Sequence, residues 1–220
     1  MNIHIIQHVP FENPGLVLKW VEERGHTYKI VRMYNQERIP SSEEVDFLVV
    51  LGGPMSANDS DKWITQERRL IREIVTQGKP MFGICLGAQQ LAKAFGSEVI
   101  PAPKEVGWGE MEDKKTGNKL TVLHWHGEGF TLPENAELLY SSEHWENQGF
   151  RLNNGIGLQF HFETTDQTVA EIVEADQSFL EQSIFDTNVD ETINKEIPSE
   201  NKEVLFELLD QLEQASEGRK

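Results

Sequence analysis

The chain has 220 residues, 38% hydrophobic and 26% charged, the composition of a soluble globular protein whose length suits one domain over residues 1–220. Its 20 Lys and Arg face 37 Asp and Glu, a net charge of −17; such a surface repels phosphate backbones and argues against a nucleic-acid partner. No apolar run approaches the roughly 18 residues of a membrane span, no basic segment precedes the apolar N-terminus, and the lone cysteine, Cys85, cannot form an internal disulfide, so a reducing cytoplasm is the expected location and a membrane is not expected.

The first half alternates between two periodicities. Ile3 to Val9 reads as a strand. "PGLVLKWVEERG" follows, with Leu16, Trp20 and Val21 at helical spacing and Gly25 as a stop. Thr27 to Tyr34 is a second strand, and Asp46 to Gly53 a third whose continuous apolar run suits a buried parallel sheet. Asp61 to Gly78 is an amphipathic helix from an Asp cap to a Gly stop. Pro80 to Ile84 is a fourth strand and Leu86 to Gly96 a helix. This order implies an α/β fold: an open, mostly parallel twisted sheet, flavodoxin-like, with helices on both faces.

The second half changes character. Between Glu98 and His161, "LTVLHWH", "ELLYSS", "GFRL" and "GIGLQFH" read as short strands of a small antiparallel section, with hairpin turns at "DKKTGNK" and "LNNGIG". Thr165 to Leu180 and Ser199 to Ala215 read as amphipathic helices, and the polar stretch between them as loop. Residues 1–185 are expected to form the catalytic core and 186–220 a C-terminal loop and helix.

The chemistry centres on "KPMFGICLGAQQ", Lys79 to Gln90. Cys85 lies where a buried strand turns into a helix, and Gly83 and Gly87 permit the close backbone approach of such a turn. A nucleophile there projects from the C-terminal edge of the sheet, where open α/β folds place their sites. The helix N-terminus is expected to lower the thiol pKa and to offer N–H groups to an oxyanion. The alternative is a buried, inert cysteine.

A nucleophilic thiol needs a base, and the base an orienting group. His161 ends an apolar strand and Glu163 follows two residues later, on the same face of an extended chain. The other histidines have structural readings: His4 and His8 on or at the end of the first strand, His26 after a turn, His144 in a polar loop. Gly52 and Gly53, after the third strand, can aim a backbone N–H at a bound carbonyl oxygen.

Together, "LGGPMSAND" (51–59), "GICLGAQ" (83–89) and "QFHFE" (159–163) resemble class I glutamine amidotransferases in order and spacing. "EVGWGE" (105–110) and "HWHGEGFTLP" (124–133) are similar to the free-standing branch related to the amidotransferase domain of GMP synthase. The resemblance implies a Cys85–His161–Glu163 triad that hydrolyses the side-chain amide of glutamine through a thioester. It also implies an oxyanion hole at Gly53 and Leu86 and substrate contacts at Gly52, Gln89, His126 and Gly127. No cofactor is implied; an ammonia-accepting synthetase in trans is, because the sequence has no P-loop pattern to activate an acceptor. Such a partner would complete the hole if the Gly52–Gly53 loop were free to sit out of place when unbound.

Two positions depart from the family pattern. Phe162 stands where proline is usual between His and Glu, and Gly127-Glu128-Gly129 replaces the common Gly-Asp-Thr of the substrate loop. The second leaves open a γ-glutamyl compound other than glutamine, and so a γ-glutamyl peptidase or other thiol hydrolase on this scaffold. A non-enzymatic regulatory or binding protein is the third reading. The spacing His124-x-His126-x-Glu128 also fits metal ligands on one strand face, but an ordinary strand end around Trp125 explains it as well, and no metal is expected.

Overall fold

The computed structural model describes residues 1–217. In chain order the parallel half comprises β1 (Asn2–Gln7), α1 (Gly15–Glu23), β2 (Thr27–Arg32), β3 (Phe47–Val50), α2 (Lys62–Thr76), β4 (Met81–Ile84) and α3 (Leu86–Ala94). Next come β5 (Val99–Asp113), β6 (Lys119–Phe130), β7 (Glu137–Ser141), β8 (Gly149–Leu152) and β9 (Gly155–Leu158). The helices α4 (Asp166–Ala175), α5 (Gln177–Leu180), α6 (Val189–Ile193) and α7 (Ser199–Glu217) complete the chain. The strands form one nine-stranded sheet in the order β2-β1-β3-β4-β9-β8-β7-β5-β6. The first five run parallel and the remaining pairings are antiparallel.

Alternate residues of the parallel strands feed two cores, as a sheet covered on both faces requires. Ile3, Ile5, Phe47 and Val49 meet Trp20 and Val21 of α1 and Leu205 and Leu209 of α7 on one face. Leu48, Val50 and Met81 meet Ile71 and Ile74 of α2 and Leu91 of α3 on the other. A third cluster packs Val169, Ile172 and Val173 of α4 against Leu123 and Trp125 of β6.

Three elements differ from the sequence reading. β5 is a 15-residue strand that Pro101, Pro103, Gly107 and Gly109 disguise; its pairing with β6 slips between Pro101 and Glu105, where proline cannot donate to the ladder. The helix expected over Thr165 to Leu180 breaks at Asp176, whose φ of −142° is not helical. The polar stretch after it contains the single helical turn of α6, capped by the Asn188 side chain.

Strand order reverses between β1 and β3, so the chain leaves these neighbours in opposite directions along the sheet. In such folds the crevice at the carboxyl ends of the strands holds the site. Four strands deliver the chemistry there: His8 and Glu12 follow β1, Gly52 and Gly53 follow β3, Cys85 follows β4, and His161 and Glu163 follow β9.

Candidate active site

Cys85 sits between β4 and α3 with φ 50° and ψ −105°, a conformation that disfavours any side chain. The two glycines make the turn possible. A Cβ on Gly83 would stand 2.6 Å from the backbone of Gly87, and one on Gly87 would stand 2.1 Å from the carbonyl oxygen of Val50. Helix and strand are thus packed too closely for any other residue. The Cys85 N–H donates to the carbonyl of Leu158 at 2.7 Å, tying the elbow to the end of β9.

The β9 strand stops at Leu158, earlier than its apolar run suggests. The chain then bends, and His161 forms an isolated antiparallel bridge with Leu123 of β6, its N–H 2.9 Å from the Leu123 carbonyl. This holds His161 beside the elbow. Its Nδ1 lies 2.6 Å from Oε1 of Glu163, and both side chains are buried. Nε2 has no hydrogen bond of ordinary geometry. The Cys85 thiol is the charge partner on that side. Burial works against the charged imidazolium, but the Glu163 carboxylate and the thiol together hold the His161 pKa well above the usual histidine value.

The thiol departs from the expectation of a depressed pKa. Cys85 is 7% exposed, and burial pushes its pKa up, against the opposing pull of His161. Its Sγ contacts the Trp125 carbonyl at 3.8 Å and the Gln159 amide Nε2 at 3.5 Å. A weak acid therefore faces a strengthened base.

A pocket of about 480 Å³ opens over Cys85. Gly53, Gln89, His126 and Gly127 line it, whereas His161 and Glu163 lie behind it, around a small cavity of about 20 Å³. The backbone N–H groups of Gly53 and Leu86 donate to no described residue. Gln89 is fixed by its Nε2, which donates at 3.2 Å to both the Glu128 carbonyl and Gln159 Oε1. Gly52, expected at the substrate, does not line the pocket. Its carbonyl instead accepts a hydrogen bond from His8 Nδ1 at 2.8 Å.

That contact ties the glycine loop to the end of β1. His8 is wholly buried, and its Nε2 lies 2.8 Å from Glu67 of α2. Glu67 also accepts from Gln90 Nε2 at 2.9 Å, and Gln90 Oε1 accepts from Arg68 at 2.9 and 3.0 Å. A buried polar chain thus runs from α2 and α3 to the loop after β3. Sequence reasoning missed His8 and Glu67 because they are 59 residues apart. It also missed Glu12, whose carboxyl reaches the pocket and whose pKa burial pushes up to about 7.

Glu105, His124 and His126 are the group that could hold a metal ion, with ligand atoms within 4.8 Å of one another. The acid is Glu105 of β5, paired with His126 across the sheet, not Glu128. Ser142 Oγ and Gln148 Nε2 already donate to the Glu105 carboxylate at 2.6 and 2.5 Å. His126 Nδ1 lies 3.2 Å from the Glu128 carbonyl and Nε2 3.1 Å from Glu105, contacts that fix the strand end bearing Gly127.

The model of the class I glutamine amidotransferase family matches residues 15–178. The chain belongs to the class I glutamine amidotransferase family. It is 33% identical over 198 residues to the glutamine amidotransferase-like protein YfeJ of Salmonella typhimurium, covering 82% of this chain and 83% of that one. It is 32% identical over 159 residues to a glutamine-hydrolysing GMP synthase subunit of Ignicoccus hospitalis, covering 66% of this chain and 80% of the relative. A crystal structure of a glutamine amidotransferase from Thermotoga maritima superposes with a TM-score of 0.84 at 31% identity, over 99% of this chain and 98% of that one. Among the described residues no helix is long and apolar enough to cross a membrane.

Proposed function

We propose that this chain hydrolyses the side-chain amide of glutamine, or of a related γ-glutamyl compound, through a thioester on Cys85. The observation that carries the reading is the pairing of an elbow thiol with a histidine whose far nitrogen is held by a buried carboxylate. With Nδ1–H donating to Glu163, Nε2 is the ring nitrogen left to exchange a proton with Cys85.

Cys85 Sγ attacks the amide carbon while His161 takes the thiol proton, and the raised basicity of His161 drives a transfer that burial of the thiol opposes. The oxygen gains charge facing the unpartnered N–H groups of Gly53 and Leu86. As the C–N bond breaks, His161 returns the proton to the leaving nitrogen. Water then attacks the thioester, with His161 as base, and releases the free γ-carboxylate. Glu163 keeps the ring in one orientation and stabilises its charged form. Gln89, His126 and Gly127 line the wall that receives the amino-acid end of the substrate.

The name of the GMP synthase relative, one subunit of that enzyme, supports a synthetase partner in trans as the consumer of the ammonia. The single unpaired cysteine suits a reducing cytoplasm. A second reading, hydrolysis of a larger γ-glutamyl amide, draws on the size of the pocket and on Gly127-Glu128-Gly129 in the substrate loop.

The test is turnover of glutamine by the purified chain, followed by both glutamate and ammonia, beside labelling of Cys85 with an electrophilic glutamine analogue. Turnover lost in Cys85→Ala, with stoichiometric labelling of the wild type, is expected. Wild type that neither releases glutamate nor takes the label is a binding protein on an enzyme's scaffold.

A further inference from the structure

The proposed mechanism leaves Glu12 without a role, although its side chain reaches into the site. Its carboxylate oxygen Oε2 lies 1.9 Å from where a Cβ on Gly52 would stand, and that same point is 3.4 Å from Cys85 Cβ. The carboxylate thus fills the space over the bare Cα of Gly52, next to the elbow. It borders both the main pocket and the small cavity around His161 and Glu163. No described residue donates a hydrogen bond to it, whereas the loop that carries it is fastened on its C-terminal side. Asn13 bonds Glu171 of α4 and the Gly15 N–H, and the Leu16 N–H donates to the Glu163 carbonyl at 2.8 Å. An unpartnered carboxylate on a rigid loop is preorganised for a donor that the protein itself does not supply.

The surroundings specify that donor. On the proposed reading the oxyanion turns toward Gly53 and Leu86, the glutamyl chain toward Gln89 and Gly127, and the leaving nitrogen toward His161. Glu12, which lines the small cavity together with His161, stands on the leaving-group side. Asp176 also lines this pocket, and Phe11, Trp125 and Phe179 give it aromatic walls. Carboxylates beside aromatic faces are the chemistry of organic ammonium recognition. The wall already holds one such group: Lys104 Nζ stands 4.1 Å from the centroid of the Phe179 ring.

We propose that Glu12 is the specificity-determining carboxylate of a leaving-group subsite that takes a cationic amine, so that the preferred substrates are γ-glutamyl amides of diamines. This rests on the thioester reading above. The overall reaction is hydrolysis: the γ-glutamyl C–N bond breaks, water supplies the oxygen of the γ-carboxylate, and the diamine departs with the proton delivered by His161. Glu12 and Asp176 hold the distal ammonium and take no part in bond making.

The experiment compares the γ-glutamyl amide of 1,3-diaminopropane with its neutral isostere, γ-glutamyl butylamide, and with glutamine. Wild type is expected to favour the cationic amide over the neutral one in kcat/KM by about 10-fold or more, mainly through KM. Glu12→Gln should bring that ratio to within about 3-fold of one, and Glu12→Asp should restore part of it. Lys104→Met, which vacates the aromatic wall, should move the ratio in the opposite direction. Thermal melting and Cys85 labelling establish that each variant is folded with an intact elbow. A wild-type ratio near one alongside normal glutamine turnover overturns this inference alone, as does a ratio that Glu12→Gln leaves unchanged. Failure of all three substrates together with failure of Cys85 labelling removes the thioester reading, and this inference with it.

Discussion

Nε2 of His8 lies 2.8 Å from Oε2 of Glu67, with both side chains wholly excluded from solvent. The other ring nitrogen faces the Gly52 carbonyl at the same distance. Both partners are acceptors only, so the ring serves both as the imidazolium. The direction of its pKa agrees: burial opposes the charge, but Glu67 and the Gly52 carbonyl raise the value above the histidine norm. The loop that precedes the unpartnered Gly53 N–H is therefore held by a buried ion pair.

Glu67→Gln should loosen that hold without touching the thiol. Loss of one oxyanion donor costs up to about 10²–10³ in kcat, so a misaligned one should cost roughly 10- to 100-fold, with Cys85 alkylation unchanged. The pair should also leave a mark on stability. A raised histidine pKa stabilises the fold fully below its unfolded value, about 6.5, and that contribution fades as pH rises through the folded value. The difference in melting temperature between wild type and Glu67→Gln should be largest near pH 6 and shrink toward pH 9. Equal kcat in the two proteins would detach the pair from the oxyanion loop.

Burial raises Cys85 and Glu163 raises His161, which sets the order of events at the thiol. Iodoacetamide alkylation should titrate with a midpoint above that of free cysteine, about 8.5, because the thiolate is the reactive form and the low-dielectric site disfavours it. His161→Ala removes the one partner that pulls the thiol down, so alkylation should slow further and its midpoint rise. Glu163→Gln keeps the shape of the pair but frees His161 to lose its raised basicity. A loss of about 10- to 10⁴-fold in kcat with an unchanged melting profile is expected. A midpoint near pH 6 to 7 would reinstate the depressed thiol that the helix N-terminus suggests.

How much of this site is legible in the sequence follows from the range of each interaction. The elbow is local: Gly83, Cys85 and Gly87 carry the turn within five positions, and sterics alone demand that pattern. His161 and Glu163 are also near neighbours, though the strand that should carry them ends at Leu158 and a single bridge to Leu123 takes over. The parallel order of the first strands can be read because their apolar runs are buried on both faces. β5 cannot, because its prolines and glycines contradict strand propensity and only pairing with β6 overrides them. His8, Glu67 and Glu12 have no local signature. Their roles arise where α2 meets the ends of the strands, and a buried polar pair far apart in sequence looks like two surface residues until the fold joins them.

Backbone strain at the nucleophile gives a prediction independent of catalysis. With φ 50° and ψ −105°, Cys85 occupies a region that glycine visits far more readily than any residue with a Cβ. Cys85→Gly should be more stable than Cys85→Ala by about 1–3 kcal/mol, although both lose the nucleophile and glycine normally costs backbone entropy. Denaturant unfolding of the two variants measures the difference directly. Cys85→Ala equal to or more stable than Cys85→Gly would mean that the elbow is not strained in solution.

The last prediction concerns what a synthetase partner would change. A glutaminase whose oxyanion loop sits out of place needs a partner to assemble the hole, and then works slowly alone. Here the carbonyl of Gly52 is fixed by His8, and the amides of Gly53 and Leu86 already stand without acceptors beside Cys85. On the proposed reading the hole is preformed, so binding of a partner has little assembly left to drive. We expect the isolated chain to turn over glutamine at roughly 1–10 s⁻¹, the ordinary range for an enzyme. A synthetase recovered with it should alter kcat by less than about 3-fold while raising the fraction of ammonia delivered to the acceptor rather than to solvent. The measurement pairs glutamate release with acceptor amination, before and after the partner is added. Turnover below about 0.01 s⁻¹ that rises 100-fold or more with the partner would show that the loop held by His8 is not the catalytic arrangement, and that the partner moves it.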